Sequence, residues 1–151
     1  MKIYHDKDAD LKIFDGKKIA VLGYGSQGRA QALCFHDSGM DVTIGVRKDG
    51  KSWNKAKEDG LKVAEFGDAV KDADVVMMLL PDEIQPDIYK QYVEPNLKKG
   101  AALEFAHGFA ITYKLIVPPK DCDVIMMAPK SPGDMERVMF CEGFGVPALI
   151  C

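Results

Sequence analysis

The chain has 151 residues, 47% of them hydrophobic and 28% charged, enough for one compact domain with its own core and unlike a disordered segment. Twenty Lys and Arg against 23 Asp and Glu leave a formal net charge of −3, so no basic excess prepares it for a nucleic acid or an acidic membrane surface. The longest apolar run, residues 75–80, is six residues long, whereas a membrane-spanning helix needs roughly 20.

The first eight residues, Met1 to Asp8, contain no apolar stretch of the kind a secretion signal needs, and the expectation is a cytoplasmic protein. Cys34, Cys122, Cys141 and Cys151 have neither the two-residue spacing of metal ligands nor the density of a disulfide scaffold, and they read as reduced thiols.

The first predicted strand, 18–22, runs into Gly23-Tyr24-Gly25-Ser26-Gln27-Gly28, which opens a predicted helix over 26–37. Ala30, Leu33 and Cys34 keep helical spacing there, and Ser38-Gly39 is a suitable stop. Gly23 permits a tight turn, Gly25 lets a pyrophosphate approach the backbone, and Gly28 lets the helix pack on the strand, while the free amides of the helix start attract negative charge. Three glycines alone are a weak signal. Between a strand and a helix they read as a dinucleotide site.

The second strand, 42–46, ends in Gly45-Val46-Arg47-Lys48 with no acid to hold a ribose hydroxyl. Arg47, Lys48, Lys51 and Ser52 offer the cations and hydroxyl that a 2′-phosphate needs, which favours NADP; Asp49, in the middle of the same loop, argues the other way. A helix over 53–59 ends at Gly60, a strand follows over 61–64, and the apolar run 75–80 supplies a fourth strand. After it, Pro81-Asp82-Glu83 reads as a helix start ahead of Ile84, Ile88 and Tyr89.

The fifth strand, 101–105, is followed closely by His107-Gly108, a turn at a strand's carboxyl end that can project an imidazole toward a bound nicotinamide. Imidazole exchanges protons near neutral pH, although an isolated histidine of this kind is more often structural than catalytic. Strands over 124–127, with Lys130 beyond its end, and 146–150 complete the series. Most of the runs are continuously apolar and rich in Val and Ile, as strands are when helices cover both faces of their sheet, so the predicted fold is a doubly wound parallel α/β sheet of Rossmann type.

Several of these segments, taken in order, resemble the amino-terminal domain of ketol-acid reductoisomerase over essentially the whole chain. They are Gly23-Tyr24-Gly25-Ser26-Gln27-Gly28, Lys51-Ser52-Trp53, Leu79-Leu80-Pro81-Asp82-Glu83, Phe105-Ala106-His107-Gly108-Phe109, Ala128-Pro129-Lys130 and the stretch from Gly145 to Ile150. The resemblance implies an enzyme of branched-chain amino-acid biosynthesis that uses Mg²⁺ and NADPH to move an alkyl group in an acetohydroxy acid and then reduce the resulting keto group. It puts Tyr24, Gly25, Ser26 and Gln27 on the cofactor phosphates and Arg47 and Ser52 on the 2′-phosphate. It puts Asp82, Glu83, Ile84 and Gln85 along the nicotinamide half with Gly133 nearby, and it makes His107 an active-site residue.

Some positions depart from the family pattern: Gly50 stands in place of a serine, Arg29 and Gln31 where histidine is common, Glu104 where a small residue is usual, and Ala110, Ser131 and Asp134 in place of asparagine, glycine and histidine. The resemblance also implies an all-helical domain carrying the Mg²⁺ ligands and most of the substrate pocket, and a homo-oligomeric enzyme. Residues 1–151 are therefore expected to be one NADP-binding domain cut short near its carboxyl end, holding no metal ligands and inactive alone. Two other readings stand beside this one. The first is a non-catalytic or degenerate dinucleotide-binding module. The second, a small stand-alone hydroxyacid dehydrogenase, is disfavoured because no Lys follows the fifth strand.

Overall fold

The computed structural model describes residues 2–151, the side chain of Asp6 aside; of the amino-terminal stretch read above, Met1 lies outside the described residues. Seven strands form one sheet: β1 (Lys18–Leu22), β2 (Asp41–Gly45), β3 (Lys62–Ala64), β4 (Val75–Met78), β5 (Ala102–Phe105), β6 (Asp123–Pro129) and β7 (Ala148–Ile150). Their order across the sheet is β3-β2-β1-β4-β5-β6-β7. The helices are α1 (Ser26–Asp37), α2 (Lys51–Glu58), α3 (Phe66–Val70), α4 (Gln85–Ile88), α5 (Phe109–Thr112) and α6 (Gly133–Cys141). Among the described residues no helix is long and apolar enough to cross a membrane.

Strand alternation splits the core in two. Ala20, Leu22, Val76, Met78, Leu103 and Phe105 project to the face covered by α3, by the turns after α4 and by α5. Ile19, Val21, Val42, Ile44 and Met77 project to the other, against Ala32 of α1 and Ala56 of α2. Both faces are therefore apolar, which is why these strands read as unbroken hydrophobic runs.

The first six strands are parallel, but β7 is antiparallel to β6, with Met127 opposite Ile150. The sheet is thus mostly parallel, as expected, with one antiparallel edge strand. The cause is the connection. α6 starts with Gly133 against Ser26 and runs alongside α1, so that Arg137 reaches Asp37. Gly143 then reverses the chain at φ +80°, and residues 142–147, which can span roughly 20 Å when extended, return to Lys130, whose N–H donates to Pro147 O. The last strand thus enters beside the carboxyl end of β6 and runs back down it.

Candidate functional site

In this strand order the connections leave β1 and β4 in opposite directions, which opens a crevice beyond their carboxyl ends. A cleft of about 700 Å³ lies there, bounded by Gly23 and Gly25 after β1, Arg47 and Ser52 after β2, and Leu79 and Ile84 after β4.

The glycine loop fits the tasks its spacing suggests. Gly23 sits at φ +98°, and a Cβ on it would stand 2.6 Å from the carbonyl oxygen of Leu79. A Cβ on Gly28 would stand 2.4 Å from Gly23 O, so these two glycines let loop, helix and neighbouring strand end close on one another. At Gly25 nothing lies within 4 Å of the Cβ position. Gly25 is also the N-cap of α1 and offers no capping side chain, so the amides of residues 25–28 have no intrahelical acceptor. Uncapped amides facing open space at a helix start form a cradle for a pyrophosphate.

The predicted phosphate residues contribute unequally. Ser26 is exposed at the cradle. Tyr24 is only 5% exposed and its hydroxyl donates to Asp59 Oδ2 at 2.7 Å, so that hydroxyl is already committed within the protein. The Gln27 carboxamide donates to Ser131 O and accepts from Gln31 Nε2, both at 3.0 Å, which leaves its main-chain amide for a ligand. Gly133 lets α6 meet α1, since a Cβ there would stand 2.3 Å from Ser26 O.

Arg47 is exposed, Ser52 is half-buried, and both line the cleft with Lys51. The turn between them closes through Gly50 N–H donating to Arg47 O at 3.3 Å. Asp49 takes φ +56° at its crown and is not among the lining residues. The acid that argued against a 2′-phosphate thus does not line the cleft.

After β4, the helix starts at Gln85 and not at Pro81-Asp82-Glu83, which form a turn. Gln85 is the reason. Its Nε2 donates to Met78 O at 3.2 Å, Leu80 O at 2.8 Å and Asp82 Oδ1 at 3.3 Å, which folds the turn back over the strand end, and Pro86 supplies the helix-starting proline. At 3% exposure the Gln85 side chain braces this turn and does not line the cleft. Glu83 is exposed outside the lining, whereas Ile84 forms part of the wall. Asp82 is half-buried and its Oδ2 stands 3.4 Å from Nδ1 of His107, the exposed residue beyond β5, so the structure brings these two predicted residues together. Lys130 is exposed and bonds Pro147 through its backbone.

Two polar arrangements have no counterpart in the sequence reading. In the first, Arg29 Nε and Nη2 donate to Asp59 Oδ2 and Oδ1 at 2.7 and 2.9 Å, alongside the Tyr24 hydroxyl. The guanidinium hydrogen bonds hold the Asp59 carboxyl below the usual carboxylate range, and burial, followed by the Asp59 contact, raises the Tyr24 phenol. The only local signal was that Arg29 is a cation at a position where the family has histidine. In the second, Gln31 and Glu104 are 1% and 3% exposed on the side of the sheet that α1 and α6 cover, and Gln31 Oε1, both Glu104 oxygens and Glu136 Oε2 lack a hydrogen-bond partner. Among the described residues no group of three or more His, Cys, Asp or Glu is arranged to hold a metal ion.

The family model for "Acetohydroxy acid isomeroreductase, NADPH-binding domain" matches residues 13–151. Ketol-acid reductoisomerase (NADP(+)) of Psychrobacter sp. (strain PRwf-1) is 59% identical over 150 residues, covering 99% of this chain and 44% of its own length. The enzyme of the same name from Psychrobacter arcticus is 56% identical over the same length, again across 44% of its chain. A solved structure described as an NADH-preferring ketol-acid reductoisomerase from an uncultured archean superposes with a TM-score of 0.94 at 54% identity, covering all of this chain and 47% of that one. The chain thus spans less than half the length of these relatives.

Proposed function

The chain belongs to the acetohydroxy acid isomeroreductase family through its NADPH-binding domain, and from that premise we propose that it is the nucleotide-binding part of a cytoplasmic ketol-acid reductoisomerase. The observation that carries the proposal is the cradle at Gly25, with open space above it and uncapped helix amides around it at the point where the strand order reverses.

In this reading the amides of residues 25–28 and the Ser26 hydroxyl hold the pyrophosphate, and Arg47 and Ser52 take the 2′-phosphate through charge-assisted hydrogen bonds. Leu79, Leu80 and Ile84 wall the cleft beyond the phosphate cradle. Bound NADPH would supply the hydride that reduces the keto group of an isomerised acetohydroxy acid, in a step of branched-chain amino-acid biosynthesis. Asp82 orients His107, which exchanges a proton at its ring nitrogens near that group.

The Mg²⁺ that the full reaction uses needs carboxylate ligands, and we assign these to the helical part that this domain works with in a homo-oligomeric enzyme, together with most of the substrate pocket. The domain of 1–151 accordingly binds nucleotide but does not turn over by itself.

The test is a titration of the chain with NADPH and NADH, followed by assay with acetolactate and Mg²⁺, first alone and then with the remaining part of a relative's chain supplied. Nucleotide binding without turnover, and turnover once the relative's remaining part is present, is the expected outcome. A chain that binds neither nucleotide overturns the assignment; turnover by the chain alone overturns the division of labour.

A further inference from the structure

Between Gly23 and Gly28 the phosphate loop is open at its centre. Those two glycines are locked by backbone contacts, but the Cβ position of Gly25 meets nothing within 4 Å. A cradle that orders only when ligand arrives loses binding energy to that ordering, so what fixes residues 24–28 beforehand matters for affinity.

Two side chains bracket the stretch, Tyr24 before it and Arg29 just after it, and both bond one carboxylate, that of Asp59. Arg29 is tied to the cradle as well, because its N–H donates to Gly25 O at 2.9 Å. Asp59 in turn is held firmly. It is the C-cap of α2, its N–H donates to Lys55 O and Lys57 O, and Gly60 ends the helix at φ +83°. The opposite end of α2 is Gly50, which closes the turn begun by Arg47 and precedes Ser52 in the first turn of the helix. Eight residues of helix make a strut roughly 12 Å long, with the 2′-phosphate loop at one end and, at the other, the Tyr24 hydroxyl and Arg29 guanidinium, whose residues flank the cradle.

Most exposed ion pairs contribute little. This one differs in being bidentate, in taking a third bond from a buried phenol, and in leaving the Asp59 side chain 19% exposed. Resting on the dinucleotide reading of the cleft, we propose that Asp59 is a positioning residue that locks the pyrophosphate cradle to the helix bearing the 2′-phosphate loop, through the juxtaposed Tyr24 hydroxyl and Arg29 guanidinium. The dinucleotide therefore meets two loops already set at a fixed separation.

The experiment titrates the 151-residue chain and its Asp59→Asn, Tyr24→Phe and doubly substituted variants with NADPH and with ADP, at a temperature 20 °C below each variant's own melting midpoint. Asp59→Asn is expected to weaken both ligands about tenfold or more, and Tyr24→Phe to weaken both by a smaller factor. The double variant should bind no worse than Asp59→Asn alone, since the hydroxyl acts through the carboxylate. A merely structural Asp59 would lower the midpoint and leave both dissociation constants within twofold, which would overturn the proposal; so would additive losses in the double variant. If Asp59→Asn does not fold, Tyr24→Phe decides alone, unchanged affinity counting against the proposal. A parent chain that binds neither ligand removes the dinucleotide reading itself, an outcome distinct from a parent that binds and variants that bind equally.

Discussion

Asp82 Oδ2 stands 3.4 Å from His107 Nδ1, where the turn after β4 meets the turn after β5. The same nitrogen accepts from the Phe109 N–H at 3.3 Å, whereas its approach to Asp82 is an ion-pair contact and not a hydrogen bond. Asp82 is itself steadied by Gln85 Nε2 on its other oxygen. The neutral ring is therefore expected to carry its proton on Nε2, with Nδ1 committed as an acceptor to Phe109. Nitrogen-15 correlation spectra of the neutral ring test this. Asp82→Asn should leave that tautomer in place, and a parent protein in the Nδ1–H tautomer would hand control of the ring to Asp82. In enzyme completed with the rest of a relative's chain, His107→Gln should lower kcat by about 10²- to 10⁴-fold, the usual range for a proton-transfer group.

Gly25→Val should leave a folded domain that no longer binds dinucleotide. The branched side chain meets no protein atom, because nothing lies within 4 Å of that Cβ position, but it fills the space the pyrophosphate needs. Gly28→Ala provides the contrast, since its Cβ would stand 2.4 Å from a backbone oxygen and must disturb the fold itself. Circular dichroism with nucleotide titration separates the two. Retained binding by folded Gly25→Val would remove the loop from the site.

Arg47→Asp should weaken NADPH about 10- to 100-fold, the loss of one charge-assisted contact worth roughly 1.5–3 kcal/mol, with NADH unchanged or improved. The prediction follows from Arg47 and Ser52 lining the cleft while Asp49 does not. A relative at 54% identity is described as NADH-preferring, so both nucleotides need titrating. Equal losses for both would show that Arg47 acts on something other than a 2′-phosphate.

How much of this could be read from the sequence depended on whether the cause was local. Six parallel strands and α1 were legible because apolar runs and a glycine stop are written in consecutive residues. The direction of β7 was not, because it depends on where α6 ends in space. The helix start after β4 was misread at Pro81-Asp82-Glu83 because Gln85, an unremarkable polar residue in the sequence, reaches back to two carbonyls of the preceding strand end and loop. Within the site, the glycines and Arg47 announced themselves by type and spacing. Asp59 did not, since its partners lie far off in the chain and only the packing of α2 beside α1 brings them together.

Glu104 was marked in the sequence only as a large residue where a small one is usual, and its position in β5 makes it a pH-dependent burden on stability. It pairs in register with Met77 and Ile125, is 3% exposed, and neither oxygen has a hydrogen-bond partner. Burial, opposed in part by the nearby Met127 backbone N–H and helped by the Glu136 charge, pushes its carboxyl from 4.5 up to about 7. Between those two values the folded protein keeps a proton that the unfolded chain gives up, so stability must fall as pH rises through that window and level off above it. Once the buried carboxyl is forced to ionise, the burden is on the order of 3 kcal/mol. Glu104→Gln keeps the shape and cannot ionise. It should match the parent near pH 4.5 and exceed it by about 1–3 kcal/mol at pH 8, as measured by urea unfolding across that range. Asp37, Asp59 and Asp74, whose carboxyls are held low by Arg137, Arg29 and Lys98 respectively, titrate in both proteins and cancel in the difference. Parallel stability curves for parent and variant from pH 4.5 to 8 would show that Glu104 is charged at no cost.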